Sequence, residues 1–402
     1  MRWQWHFGLG RELGYAFWAL TFFEATLGAY APIWPLWIQD RGAPIAVVGL
    51  VLASAGIFRP LIMIPGTAYL DRHNGRNVLL ACRALSLVGL LIAAFARSWE
   101  ILLVTVFLNA LGELVFPTIH AYIAEHAGDN PVHAFNMTIT IGPAAGLIVT
   151  PLISGLVISL GGMQAAFLLS AVLTLIAMAF VSRMTFTGSS GHGSDGAAVS
   201  YKAVIQHRQI REMIFVFGGT IISLAIGVAL LSNFLELERG LSPGTIAMLS
   251  SGAAVGTVGF GLLSSRIGRF RRSPLLAAAV ATSLTAAGFL IFSTQTALVL
   301  MGLAYVMRGG LFSTWALFLA ALGNLAPQHI RSRAFTLMEI VGGSSMSFGP
   351  VIAAQLWDID PVAPLIAGAV LGFVMATVIS VWRRRAELAA SVTPPPDLAS
   401  AG

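Results

Sequence analysis

Six ionisable residues lie within stretches that are otherwise apolar and long enough to cross a bilayer: Glu24, Arg59, Arg83, Glu113, Arg308 and Glu339. A charge at the bilayer centre costs about 2.5–3.5 kcal/mol on insertion scales, so such residues usually face one another or a water-filled cavity. A desolvated carboxylate can load and release a proton near neutral pH, and a guanidinium can hold an anion. These residue types predict the movement of protons and a solute across a membrane.

Four of these residues lie near the middle of their apolar stretches, at a rise of about 1.5 Å per residue. We predict that Glu113, and after it Glu24, carry the proton, and that Arg308 and Arg59 hold an anionic part of the substrate. Two acids and two bases also permit full pairing in a low-dielectric site. A structural ion pair between Glu24 and Arg59 is therefore an equal alternative.

Polar and aromatic neighbours extend this candidate site. Asn109 shares a helical face with Glu113, and Trp315 follows Arg308 by seven residues, which is also one face. Tyr30 and Trp34 make the first stretch dense in aromatic rings. Such a cavity suits a planar or cyclic organic anion, although each aromatic side chain could instead face lipid.

The remaining two charges lie nearer the ends of their stretches. Arg83 is close enough to one end to extend its guanidinium toward the membrane surface, so we expect a structural role. Glu339 is similarly placed, and we expect it to pair with a loop arginine at a gate.

Composition supports a membrane protein. The 402-residue chain is 57% hydrophobic and 10% charged, whereas a soluble domain has about 25% charged residues. Its basic residues are spread over short loops, which argues against nucleic-acid binding. The single cysteine, Cys82, permits no internal disulfide and no thiol-metal site. We find no phosphate-binding loop or nucleophile–base motif, and we expect neither enzymatic activity, nor a cofactor, nor a bound metal.

The apolar stretches predict an all-α membrane protein with twelve transmembrane helices in two six-helix, pseudo-symmetric halves. Loops on one side of these spans carry 17 Lys and Arg residues and loops on the other side carry three. The positive-inside rule then places both termini in the cytoplasm, in a bacterial-type inner membrane. The predicted spans are about 13–38, 44–69, 77–96, 100–124, 134–158, 163–183, 212–236, 243–264, 274–294, 297–324, 334–357 and 362–382.

An internal repeat divides the chain. The segments starting at His133 ("HAFNMTITIGPAAG") and Arg333 ("RAFTLMEIVGGSSM") match at an offset of 200 residues. We expect two halves with the substrate site between them, and helix bending at Gly142, Pro143, Gly349 and Pro350. The predicted divisions are 1–184, a central loop 185–211 containing a basic amphipathic helix, 212–385, and a disordered tail 386–402.

Two loops carry a family resemblance. Residues 66–77 ("GTAYLDRHNGRN") resemble the signature loop of the major facilitator superfamily, Gly-x-Leu-Ala-Asp-Arg-x-Gly-Arg-Arg, with one extra residue before the second glycine. Residues 261–269 ("GLLSSRIGR") have the right spacing, with Ser265 in place of the acid. The resemblance implies a cytoplasmic gate formed by Asp71, Arg72, Gly75, Arg76, Arg266, Gly268 and Arg269.

Within that superfamily, residues 27–40 ("LGAYAPIWPLWIQD") look like the first span of the lactose permease group, and residues 48–62 look like span two of the phenylpropionate permease-like group. This implies a cation-linked permease for a small organic solute. With the buried carboxylates, we expect proton coupling, a solute such as an organic anion or a glycoside, and a functional monomer. The lactose permease proton site has no counterpart here. Two alternatives stay open: a proton-antiport exporter of drugs or metabolites, and a non-transporting assembly or sensor protein.

Overall fold

The computed structural model describes residues 5–70, 74–112, 115–127, 131–186, 201–327 and 330–392, and every regular element in these ranges is helical. We call residues 5–186 the N-terminal segment. Its elements are α1 (Arg11–Tyr30), a 3₁₀ turn (Ala31–Ile33), α2 (Trp34–Asp40), α3 (Ile45–Leu70), α4 (Gly75–Phe95), α5 (Trp99–Gly112), α6 (Val115–His126), α7 (Pro131–Phe135), a π-helix (Asn136–Ile141) and α8 (Gly142–Val181).

We call residues 201–392 the C-terminal segment. Its helices are α9 (Tyr201–Gln206), α10 (Arg208–Ala229), α11 (Leu231–Leu237), α12 (Pro243–Arg266), α13 (Gly268–Arg272), α14 (Pro274–Thr294), α15 (Leu298–Arg308), α16 (Gly310–Leu325), α17 (Arg331–Trp357) and α18 (Ala363–Val392).

Eight helical stretches in the described residues are long and apolar enough to cross a membrane, and two shorter apolar helices, Ile45–Phe58 and Trp99–Gly112, accompany them. The chain is thus a multi-pass, all-helical membrane protein, as the composition predicted. The count of twelve spans stays a prediction.

Proline and glycine explain several interruptions in the long helices. Pro32 lies in the 3₁₀ turn between α1 and α2, because proline has no N–H to donate to the preceding turn. Gly162 has φ 72°, a left-handed backbone conformation that divides α8 into residues 142–161 and 163–181. This division falls between the predicted fifth and sixth spans.

The two predicted bending sites differ. The π-helix ends directly before Gly142 and Pro143, and Pro143 cannot donate to the carbonyl four residues earlier, so the helix is distorted where we expected a bend. In contrast, α17 runs from Arg331 to Trp357 without a break at Pro350. Gly349 instead allows close packing, because a Cβ there would lie 2.7 Å from the carbonyl carbon of Ala225 on α10.

The predicted amphipathic helix after the central loop is shorter than expected. Residues Tyr201–Gln206 form α9, His207 is extended, and α10 begins at Arg208. The basic residues Arg208 and Arg211 therefore belong to the first turns of a long apolar helix.

Most helix packing stays within each segment. Helix α1 packs against α8, α4 against α5, α10 against α17, and α14 against α18. The main contacts between the segments are α3 with α17 and α8 with α12. Glycines at these crossings permit close approach of the two backbones, which is common between helices in membranes.

One arginine contact occurs in both segments. The guanidinium of Arg41 lies 3.8 Å from the ring centre of Trp37, and its Nη1 donates to the carbonyl of Ala96 at 3.1 Å. The guanidinium of Arg239 lies 4.9 Å from the ring centre of Phe234, and its Nη2 donates to the carbonyl of Ser293. In each segment the arginine ties the end of one helix to the end of another.

These contacts identify the two ends of the bundle. We call the end with Arg41 and Ala96 the Arg41 end. At the opposite end, Glu12 Oε2 accepts a hydrogen bond from the hydroxyl of Tyr122 at 2.5 Å and another from the backbone N–H of Thr185 at 3.1 Å. We call this the Glu12 end.

Candidate functional site

Hydrogen bonds join the two segments at the Arg41 end. Ser232 Oγ, on α11, donates to the carbonyl of Pro32 at 2.7 Å. The buried amide of Asn233 donates to Gln39 Oε1 at 2.6 Å and to the carbonyl of Pro35 at 3.3 Å. These bonds hold the 3₁₀ turn and α2 of the N-terminal segment against α11 of the C-terminal segment.

Glycines bring the same ends into backbone contact. A Cβ on Gly155 of α8 would lie 2.5 Å from the carbonyl oxygen of Gly244 on α12, and a Cβ on Gly244 would lie 2.8 Å from that of Gly155. A Cβ on Gly49 of α3 would lie 2.6 Å from the carbonyl oxygen of Pro350 on α17. We call these contacts, with the hydrogen bonds of Ser232 and Asn233, the Arg41-end interface.

The other half of α12 is open by comparison. A Cβ on Gly259 or Gly261 would meet no described atom within 4 Å. The same helix therefore touches α8 closely near its start, whereas Gly259 and Gly261 make no comparably close contact with a described residue.

A cavity of about 620 Å³ lies between α3, α16 and α17, and we call it the Glu339 cavity. Its volume falls in the usual range for small-molecule sites, about 300–1,000 Å³. It is lined by Leu52, Ala55, Gly56, Leu311, Phe312, Trp315, Ala316, Leu319, Glu339, Gly343, Met346, Ser347 and Pro350. Because α3 belongs to the N-terminal segment, the cavity lies between the two segments.

Glu339 has a defined geometry in this cavity. The indole Nε1 of Trp315 donates to Glu339 Oε1 at 3.0 Å. The indole ring packs edge-on against Phe217, with 5.2 Å between ring centres, and Gly342 leaves room for it. Since an indole N–H can only donate, this bond suits the carboxylate and fixes one of its oxygens.

The structure corrects the expected position of Glu339. We predicted a gate residue paired with a loop arginine, but its hydrogen-bond partner among the described residues is Trp315. The reason is helical phase, because Glu339 shares a face of α17 with Gly343 and Ser347, which also line the cavity. Trp315, a predicted substrate-binding residue, also lies there.

Arg308 lies apart from the cavity lining. It is the last residue of α15, half-buried, with its guanidinium 5.6 Å from the ring centre of Tyr305. Gly309 interrupts the helix after it and packs against α12, where Thr257 Oγ1 donates to the Gly309 carbonyl at 2.9 Å. The predicted seven-residue spacing between Arg308 and Trp315 thus crosses a break between α15 and α16.

Arg83 does not reach the membrane surface as expected. Its side chain is buried, with the residue only 6% exposed. Nη2 donates to the carbonyl of Gly112 at 2.6 Å, and the guanidinium lies 3.5 Å from the ring centre of Phe23. Arg83 therefore ties α4 to the end of α5 and packs against α1, which is a structural role inside the bundle.

The predicted aromatic residues of the first span pack around one ring. Phe167 is fully buried, and its ring centre lies 5.7 Å from that of Tyr30 and 5.8 Å from that of Trp34. Both rings lie in the packed region near Trp37 rather than in the Glu339 cavity. Asn109 is half-buried on α5, where it faces Gly89 of α4.

Several predicted site residues cannot be placed. Asp71, Arg72 and Glu113 lie outside the described residues, and the side chain of Arg59 is likewise outside them. Glu24 is half-buried on α1. Its predicted role in proton coupling, like that of Glu113, stays a prediction.

The described members of the predicted gate lie at the Glu12 end. Gly75 is buried, and a Cβ there would lie 2.9 Å from the ring of Phe186. The other described residues of the predicted gate are exposed: Arg76, Arg266, Gly268 and Arg269.

Sequence reasoning missed several lining residues of the cavity, including Phe312, Met346 and Ser347. A signal was present, because Glu339, Gly343 and Ser347 recur at intervals of four and place an acid and two small residues on one face of an apolar helix.

A bundle of long apolar helices with a solute-sized cavity between its two segments is the architecture of a membrane transporter. The chain belongs to the Major Facilitator Superfamily, whose family model matches residues 16–350. This family is the one that the loops at 66–77 and 261–269 resemble. The narrower resemblance to the lactose permease group stays a prediction.

Solved transporters share the fold. A variant of the nucleoside transporter NupG is 14% identical, with a TM-score of 0.76 over 91% of this chain and 98% of that one. The peptide-transporter-family (POT) protein PepTSo is 12% identical, with a TM-score of 0.76 over 94% and 98%. Another POT family transporter, in complex with a thioalcohol-conjugated peptide, is 13% identical, with a TM-score of 0.74 over 93% and 96%. No curated protein sequence matches the chain. The family and these neighbours indicate a non-enzymatic membrane transporter.

Proposed function

We propose that the protein is a secondary active transporter that moves a small organic solute by alternating access and is driven by a proton gradient. It would act as a monomer in a bacterial-type inner membrane, with both termini cytoplasmic. Its twelve spans would form two six-helix halves that move about a site between them. No cofactor is needed, because the proton gradient supplies the free energy.

The observation that carries this proposal is the close contact between the segments at the Arg41 end. Bonds and glycine contacts join them at the Arg41 end, from Ser232 to Pro32 and from Gly155 to Gly244. Further along α12 toward the Glu12 end, a Cβ on Gly259 or Gly261 would meet no described atom within 4 Å. In the proposed topology the Glu12 end is cytoplasmic, so this arrangement is an inward-facing state.

The repeated arginine contact supports two related halves. Arg41 and Arg239 lie 198 positions apart in the chain, and their acceptors Ala96 and Ser293 lie 197 apart. These separations agree closely with the offset of 200 between the segments at His133 and Arg333. Two halves that are each held together by the same arginine contact can move as rigid bodies relative to each other.

Glu113 and Glu24 are the proposed proton carriers, and Arg308 and Arg59 are the proposed ligands of an anionic solute. A buried carboxylate whose environment alternates between two sides of the membrane can couple proton entry to solute movement. The solute class proposed from the sequence is an organic anion or a glycoside. Nucleosides and peptides are also candidate solutes for the test, because the structurally similar NupG and POT proteins are named as nucleoside and peptide transporters.

The test measures external pH in lightly buffered, de-energised cells after pulses of organic acids, glycosides, nucleosides and peptides. A proton-coupled importer alkalinises the medium with one solute class. We expect Glu113→Gln to abolish the signal and Glu24→Gln to reduce it. Glu100→Gln, a change at an exposed acid in the first turn of α5, should leave it unchanged.

Absence of a response to every solute, with the protein present in the membrane, would contradict import. Inverted vesicles then test the second candidate, a proton-antiport exporter. Absence of solute-dependent proton movement in both directions would leave the assembly or sensor function as the better explanation.

A further inference from the structure

The described lining residues of the Glu339 cavity carry one kind of charge. Among its described lining residues, Glu339 is the acidic residue and none is basic. Arg308, the predicted anion ligand, is not part of the lining and lies beside Tyr305 instead. A carboxylate in an apolar surrounding attracts cations and repels anions more strongly than it does in water.

The carboxylate has one oxygen available to a ligand. Oε1 accepts the hydrogen bond from Trp315, while Oε2 accepts none from a residue in the described ranges. The indole N–H cannot neutralise the carboxylate, because it donates a hydrogen bond without carrying charge. An ammonium group at Oε2 would supply both the missing donor and the missing positive charge.

The charged residue and the apolar residues of the cavity also lie toward opposite ends. Glu339 and Leu319 lie toward the Glu12 end of their helices, whereas Leu311 and Pro350 lie toward the Arg41 end. Phe312 and Met346 add an aromatic ring and a flexible thioether to the apolar part. A matching ligand has a charged head at one end and an apolar body at the other.

We propose that the Glu339 cavity binds an organic cation with an apolar or aromatic body, whose ammonium group contacts Glu339 and whose body packs on Phe312 and Met346. This inference rests on the proposed transport function and replaces the predicted organic anion with an amine as the solute class. The Gly49 contact with Pro350 closes the α3–α17 crossing toward the Arg41 end, so the ligand exchanges through the Glu12 end.

Three probes of similar shape and different charge test the proposal directly. They are 2-phenylethylamine, the neutral 2-phenylethanol and the anionic 3-phenylpropionate, each titrated calorimetrically into the purified full-length protein at neutral pH. We expect the amine to bind at least roughly tenfold more tightly than the alcohol, and the anion to bind most weakly. Equal affinity for amine and alcohol, or tighter binding of the anion, would overturn the proposal.

Variants connect the charge preference to Glu339. Glu339→Gln keeps an oxygen that accepts from Trp315 and removes the charge, so it should weaken amine binding at least roughly tenfold and leave the alcohol unaffected. Trp315→Phe keeps an aromatic ring and removes the N–H, and it should weaken amine binding by a smaller factor. Glu100→Gln is the matched control with an unchanged affinity.

The outcomes separate this inference from the transport function. Solute-dependent proton movement with a non-amine, together with no preference for the amine probe, would contradict the inference and leave transport intact. Glu339-dependent amine binding without proton movement in cells or vesicles would support the site and contradict proton-coupled transport. If Glu339→Gln fails to fold, the charge series on the unaltered protein and Trp315→Phe still decide the question.

Discussion

At the Arg41 end, hydrogen bonds cross between the N-terminal and C-terminal segments, whereas the hydrogen bonds of Glu12 and Glu212 at the Glu12 end stay within one segment. Asn233 bonds to Gln39 across the boundary at the Arg41 end. At the Glu12 end, Glu12 bonds to Tyr122 within the first segment, and the indole of Trp382 donates to Glu212 at 3.0 Å within the second.

This difference indicates which contacts must break when the molecule changes conformation. Contacts within a segment can persist while the segments move, but contacts across the boundary must break for the Arg41 end to open. The Arg41-end interface is therefore the part whose stability sets the balance between the two conformations. The following three predictions test that division of roles, in order of decreasing effect.

The largest effect is expected from Gly244→Val, which places a branched side chain where even a Cβ lies 2.8 Å from the Gly155 carbonyl oxygen. Overpacking costs about 1–3 kcal/mol, which would lower the ratio of closed to open Arg41 ends by about 5- to 150-fold. Spin labels at Ser159 and Leu237, with Cys82 replaced, should report longer distances across the interface, and transport should fall.

Gly261→Val is the matched control on the same helix, because a Cβ there meets no described atom within 4 Å. Its distance distribution should match that of the unaltered protein. If both variants shift the distribution equally, close packing at Gly244 does not hold the Arg41 end closed.

An intermediate effect is expected from Gly56→Ala in the α3–α17 contact. The added methyl group would overlap the side chain of Ser347. We expect this overlap to lower the free energy of unfolding by about 1–3 kcal/mol, which is measured as a lower thermal unfolding temperature. Combining it with Ser347→Gly removes the overlapping atoms, so the double variant should recover most of the loss.

Ser347→Gly alone should cost about 1 kcal/mol, because glycine is a poor helix former. The unaltered protein, the two single variants and the double variant form a double-mutant cycle, in which thermal unfolding measures each stability. Strictly additive effects would show that the two positions are not in contact, and the α3–α17 contact would then differ from that described.

The smallest effect is expected at the Glu12 end, from Glu12→Gln. Burial alone would raise the pKa of Glu12, but hydrogen bonds from the Tyr122 hydroxyl and the Thr185 backbone N–H outweigh it and lower the pKa below its ordinary value of 4.5. A lowered pKa stabilises the folded state at neutral pH, and this contribution is lost as the pH falls through the lowered value.

The unaltered protein should therefore be more stable than Glu12→Gln by about 1 kcal/mol at neutral pH, and the difference should shrink below about pH 4.5. Thermal unfolding across this pH range measures it, with Glu238→Gln as an exposed control. Because the contact lies within one segment, the spin-label distances at the Arg41 end should not change. A shift in those distances would show that the two ends are coupled.

Local sequence features predicted much of the fold. Apolar stretches revealed the long helices, the gap between the predicted spans 134–158 and 163–183 contains the break at Gly162, and the loop at 66–77 indicated the family. These signals are local, because hydrophobic length and proline or glycine chemistry act over a few residues.

The site was less predictable because it depends on contacts between distant parts of the chain. Glu339 was assigned to a gate from its depth alone, since the position of Trp315, 24 residues earlier, cannot be inferred from helical period within one helix. Arg41 and Arg239 were counted only as loop charges. Each follows an aromatic residue by about one helical turn, Arg41 after Trp37 and Arg239 after Phe234, and this was the available signal for their shared contact.

The repeated arginine contact also bears on how this protein arose. In the proposed two-half architecture, duplication of an ancestral gene of about half the present length would account for this contact, since independent origins at equivalent positions require more coincidence. The two copies have since diverged. At the offset of 200, the position of Glu339 is occupied in the first copy by Ile139. On that interpretation the two copies kept the arginine contact and came to differ at this position, so the charge of Glu339 belongs to the second copy.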